Sequence, residues 1–80
     1  MSALLINRIR VLRAERRMSQ ADLAEAIGVS RKTISTIEIG RFTPSTVIAL
    51  KIARYFKVPV EDVFSLPEDV RAEPLAEPTK

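Results

Sequence analysis

The sequence predicts an all-α fold, a compact bundle of five helices. Three observations lead there. Apolar residues recur at helical spacing in successive windows, first Leu5, Ile9 and Leu12, then Leu23, Ala24 and Ile27. Helix punctuation frames those windows: Ser19 and Ser30 stand where N-caps are needed, and the two glycines, Gly28 and Gly40, where helices must stop. Eighty residues make one domain with a modest core, for which packed helices are the economical solution.

The first helix is expected from Leu5 to about Arg16. Its apolar stripe is Leu5, Ile9 and Leu12, and Arg8, Arg10, Arg13, Arg16 and Arg17 crowd the rest. Most of that arginine run reads as a solvated face, but Arg13 follows Ile9 by four positions and leans toward the core. Arg17 and Met18 form the first turn, with Met18 packing inward. The second helix runs from about Gln20 to Ile27, with Ser19 as N-cap and Asp22 placed to close a capping box. Val29 is an apolar residue in the following turn, fit to plug the angle between two helices.

The third helix is expected from about Arg31 to Ile39. Ile34 and Ile37 face inward, which leaves Arg31, Lys32, Ser35 and Thr36 outside. After a loop over 40–44, Pro44 and Ser45 launch a fourth helix that reaches Phe56. Its expected buried stripe is Thr46, Ala49 or Leu50, Ala53 and Phe56, with Ile52 beside it; Val47, Ile48 and Tyr55 are surplus apolar surface. Pro59 starts a short fifth helix, Val60 to about Phe64. Residues 1–66 make up the domain, and 67–80 are an acidic, proline-containing tail.

Composition narrows the function. Without cysteine or histidine the chain lacks thiolate chemistry, the usual general base and the usual metal ligand. The adjacent pairs Glu61-Asp62 and Glu68-Asp69 do not face each other on a helix, so no acid/base pair is expected and the chain is not read as an enzyme. No cofactor and no small-molecule substrate is implied. The longest apolar runs hold four residues, so no membrane span is expected, and the N-terminus does not read as a signal peptide. A soluble, cytoplasmic protein is the default. The net charge of +3 is uneven: residues 1–57 carry +7 and residues 58–80 carry −4. A basic body with an acidic tail fits a nucleic-acid binder, although charge alone fits an ordinary solvated surface equally well.

Two short helices joined by a glycine-containing turn, the second basic and polar outside, form a helix-turn-helix pattern. The run Ser19-Gln20, Leu23-Ala24, Gly28-Val29-Ser30, Thr33-Ile34-Ser35, Ile37-Glu38 and Gly40 resembles the phage Cro and repressor type of helix-turn-helix domain, the XRE-like family. The resemblance covers about Asn7 to Phe64. It implies a lambda-repressor-like DNA-binding domain, acting as a transcriptional regulator on double-stranded DNA. It also implies that Arg13 pairs with Glu38, and that Gln20 and Arg41 hold the DNA backbone. The chain departs from the family pattern at Arg17, where glycine is frequent, and at Ile39, where a polar residue is common.

The expected DNA-binding residues are therefore Gln20, Ser30, Arg31, Lys32, Ser35, Thr36, Arg41 and Arg10. The outer residues of the third helix would read base edges, and Gln20, Arg41 and Arg10 would hold phosphates. One such module covers only about 600–1,000 Å² of DNA-facing surface, so a homodimer on a two-fold site is expected. The fourth and fifth helices and Phe64 to Leu66 are candidates for the dimer surface. The alternative is a protein-interaction module, such as an antitoxin-like or scaffold domain.

Overall fold

A computed structural model describes residues 5–67. The element order is β1 (Ile6–Asn7), α1 (Ile9–Glu15), α2 (Gln20–Ile27), α3 (Arg31–Glu38), α4 (Thr46–Phe56), α5 (Val60–Val63) and β2 (Phe64–Ser65). Five helices are present as expected, with one addition: β1 and β2 pair antiparallel, Ile6 opposite Ser65 and Asn7 opposite Phe64. Of the acidic segment expected over 67–80, only Pro67 lies within the described residues.

The strand pair corrects both ends of the helical reading. Leu5 to Asn7 is not the start of α1. Leu5 does pack against the core, but from the segment before β1 rather than from a helical turn. The helix begins later because Asn7 interrupts it: its side-chain carbonyl accepts the Ile9 N–H at 3.1 Å, the local bond that favours a turn over a helix interior. Its amide donates to the Ile37 and Glu38 carbonyls at 3.1 and 3.3 Å, tying the start of the chain to the C-terminal end of α3, where carbonyls run out of intrahelical partners. At the other end α5 stops at Val63, and Phe64 turns into β2. Arg8 N–H closes the junction on the Val63 carbonyl at 2.9 Å.

The helix starts follow the serines. Ser19, Ser30 and Ser45 each accept the backbone N–H three residues on, and Asp22 returns the bond to the Ser19 N–H to complete a capping box. Four helix ends close in one way: a residue with positive φ at Arg17, Gly28, Gly40 and Lys57, followed by an N–H reaching five residues back, Met18 to Arg13, Val29 to Ala24, Arg41 to Thr36 and Val58 to Ala53. A Cβ at Gly28 would meet nothing within 4 Å, so this glycine serves its φ of +78° and not a close approach.

The core gathers one or more residues from every helix. Ile9, Leu23, Ile34, Ile37, Ile52 and Val63 are its fully enclosed side chains, and Met18 and Val29 pack on its edge as expected. The stripe of α4 is rotated from the expected one. Ile52, Ala53 and Phe56 are buried and Ile48 and Ala49 lean on them, whereas Thr46 and Leu50 are exposed. With Ser45 as cap, Thr46 occupies the first helical position, and the i, i+4 row through Ile48, Ile52 and Phe56 faces inward. The outward apolar residues are thus Val47 and Leu50, while Ile48 and Tyr55 are partly covered. Phe64 is used by the core and by β2, so of the segment Phe64 to Leu66 it is Leu66 that offers apolar surface.

Among the described residues no helix is long and apolar enough to cross a membrane.

Candidate nucleic-acid interface

Helix α3 is set by its apolar side. Ile34 is fully buried and Ile37 is nearly so, and both pack into the common core with Leu23, Ala24 and Ile27 of α2. The 3.6-residue period then leaves Lys32, Ser35, Thr36 and Ile39 on the opposite side, with Lys32 and Ile39 the most exposed. Arg31 lies at the edge of that face nearest α2. Its Nη1 donates to the Gln20 side-chain carbonyl at 3.0 Å, so the first residues of the two helices are tied together.

Gln20 in turn donates from Nε2 to Glu38 Oε1 at 3.1 Å. Glu38 holds Arg13 as the resemblance implied, in a two-pronged ion pair: Nε to Oε2 at 2.6 Å and Nη2 to Oε1 at 3.2 Å. The Glu38 side chain is 2% exposed. The third prong of Arg13 donates from Nη1 to the Met18 carbonyl at 2.8 Å and steadies the turn into α2. The hydrogen bond to Glu38 raises the Arg13 pKa above its ordinary value; burial opposes this and the Glu38 charge adds to it. Asp22 lies below the ordinary carboxylate value, first through the Ser19 backbone N–H and then through the Ser19 hydroxyl.

The other expected residues fall into two sets. Ser30 is committed to the start of α3, accepting the Thr33 N–H at 3.1 Å and sharing a 2.9 Å hydrogen bond with the Thr33 hydroxyl. The Thr36 hydroxyl donates back to the helix, with the Lys32 carbonyl at 2.8 Å and the Thr33 carbonyl at 3.1 Å. Its lone pairs and its methyl group remain for anything outside. Lys32, Arg41 and Arg10 are exposed, and their side chains hydrogen-bond no other described residue. Arg41 follows the αL Gly40 and its N–H closes the end of α3. Arg10 lies one turn before Arg13 on α1.

The arginine run of α1 thus divides. Arg16 donates to the Tyr55 and Phe56 carbonyls at 3.3 and 3.2 Å and lies over both rings, so it caps α4 from α1. Arg8 reaches the Asp62 carbonyl at 3.4 Å. Sequence reasoning missed these roles, and it missed Asn7. The one local signal was an asparagine two residues before a helical run, a common way to begin a helix.

Comparison with known proteins places this geometry among relatives. The family model described as Helix-turn-helix matches residues 9–63. An uncharacterized HTH-type transcriptional regulator of Methanocaldococcus jannaschii is 44% identical over 63 residues, covering 79% of this chain and 96% of that one. The cryptic phage CTXphi transcriptional repressor RstR of Vibrio cholerae is 34% identical over 59 residues, 74% of this chain and 53% of the repressor. Among solved structures, the restriction-modification controller protein C.AhdI of Aeromonas hydrophila superposes with a TM-score of 0.63 at 30% identity, over 68% of this chain and 82% of the controller.

Proposed function

The chain belongs to the XRE-like helix-turn-helix family of DNA-binding transcriptional regulators, and from that premise we propose that it regulates transcription in the cytoplasm as a homodimer on a two-fold site, with α3 in the major groove. The observation that carries this reading is the two-sidedness of α3. Its buried isoleucines leave a polar, cationic face directed away from the core.

In this reading Arg31 and Lys32 donate to guanine O6 and N7. Thr36 has given its hydroxyl hydrogen to its own helix, so it offers an acceptor and a methyl group. It therefore favours the amino group of adenine or cytosine, or the thymine methyl, over guanine O6. Ser35 lies between these contacts. Gln20, Arg41 and Arg10 hold the phosphate backbone, and Arg41 and Arg10 contribute affinity without sequence information. Ser30 contributes at the N-terminus of α3 as its cap. The exposed Val47 and Leu50 of α4 supply the apolar part of the dimer surface, together with Leu66.

Selection of bound duplexes from a random pool at about 150 mM salt tests this, with the protein sized in the same buffer. A palindromic consensus with half-sites about one helical turn apart, bound by a dimer, is the expected result. A folded protein that enriches no sequence would defeat the reading and favour a protein-interaction module.

A further inference from the structure

We propose that Glu38, which is enclosed and itself out of reach of DNA, is a positioning residue that sets the base preference of Arg31 by fixing the Gln20 amide between them. The proposal rests on the assignment of α3 as the DNA-reading helix.

The argument is one of donors and acceptors. A carboxylate only accepts hydrogen bonds and a guanidinium only donates them. Gln20 lies between one of each, 3.1 Å from Glu38 Oε1 and 3.0 Å from Arg31 Nη1. Only one orientation of its amide satisfies both ends: the NH₂ group toward Glu38 and the carbonyl toward Arg31. Flipping the amide would set two acceptors against each other at one end and two donors at the other. The identity of residue 38 thus decides which face of Gln20 meets the DNA-reading helix.

The carboxylate is itself immobile. Arg13 grips both of its oxygens, and its side chain is 2% exposed. Position therefore passes from α1 to the end of α3, across to the start of α2, and back to the start of α3. At the far end Arg31 is exposed, with a long side chain that would otherwise sample many rotamers. Tying one N–H to Gln20 leaves the rest of its guanidinium free to donate to a base and reduces the ordering that binding must impose. Glu38 thus serves two functions at once: its bonds to Arg13 hold the fold, and its bond to Gln20 orients the reader.

The test separates these roles. Wild-type protein, Glu38→Gln, Gln20→Met, Arg31→Ala and the Gln20→Met/Arg31→Ala double variant are each measured against the selected duplex and against a duplex changed at the base pair that Arg31→Ala makes indifferent. Melting temperature is recorded for each. Gln20→Met breaks the relay and leaves the Arg13–Glu38 pair in place, so it decides the question even if Glu38→Gln melts early.

The expected result is that Gln20→Met reduces discrimination at that one base pair by about fivefold or more, while discrimination at other positions holds. The same substitution adds nothing to discrimination once Arg31 is alanine. Glu38→Gln, where folded, relaxes the same position. Uniform weakening on every duplex, with discrimination at the Arg31 position intact in Gln20→Met, would overturn the proposal while leaving the DNA reading standing. A wild-type protein that selects no sequence would overturn both.

Discussion

Helices α3 and α4 are built alike on the inside and differently on the outside. Each begins with a serine cap, and each buries isoleucine at the centre of the core, Ile34 and Ile37 in one, Ile52 in the other. Outside, α3 presents Lys32, Ser35 and Thr36, with the exposed Ile39 at its end, whereas α4 presents Val47 and Leu50, 62% and 54% exposed, with Lys51 and Arg54 beside them around a shallow cleft of about 490 Å³. A polar cationic face loses little in water and suits a hydrated polyanion. An apolar face in water is unfavourable and suits a second apolar surface. The same helical scaffold can therefore suit two kinds of contact, and the difference lies in the side chains turned outward.

The largest effect should be the one the two helices share. Ile34→Ala and Ile52→Ala each remove a fully enclosed side chain and should destabilise the domain by about 2–5 kcal/mol, read by chemical denaturation. A loss under 1 kcal/mol at either site would show that the two helices are not equal partners in the core.

The next effects separate the outer faces. Arg31→Ala should cost about 1–3 kcal/mol on the selected duplex and relax one base position. Arg41→Ala should weaken all duplexes alike and reduce the salt slope by about 1. On α4, Leu50→Glu should dissociate the proposed dimer on a sizing column while changing stability by no more than about 0.5 kcal/mol. Loss of DNA discrimination in the Leu50→Glu monomer on a single half-site would erase the distinction between a reading face and an assembling face.

The smallest effect concerns helix ends. Gly28 and Gly40 adopt positive φ without a steric cost, while Arg17 and Lys57 adopt φ of +56° and +60° with a Cβ in the way. Arg17→Gly should therefore stabilise the domain by up to about 1 kcal/mol, measured as a raised melting temperature.

Much of the fold was legible because it is local. The serine caps, the glycine stops and the Ile34/Ile37 stripe each lie within windows of a few residues, where periodicity and capping chemistry act directly. The rotated stripe of α4 shows where local reading fails. Six apolar side chains lie between Val47 and Phe56 once alanine is set aside, and periodicity does not say which of them meet a neighbour. The candidate site was legible in outline, as a polar outer face on the third helix. The sorting of its members was legible only for Ser30, whose place as a cap was plain; that Thr36 is committed to its own helix and Arg31 to Gln20 was not.

The amino-acid sequence by itself determined the number and order of the helices, where four of them begin, and which face of α3 turns outward. These follow from hydrogen-bond and hydrophobic patterns repeated over three to eleven residues. Tertiary structure alone decided the β1–β2 pairing, the ties of Asn7 to the end of α3, the division of the arginines between structure and surface, and the chain of contacts from Arg13 to Arg31. Those contacts join residues 11 to 59 positions apart. A donor's need for an acceptor is written in its side chain, but which acceptor comes within 3 Å depends on how all the helices pack.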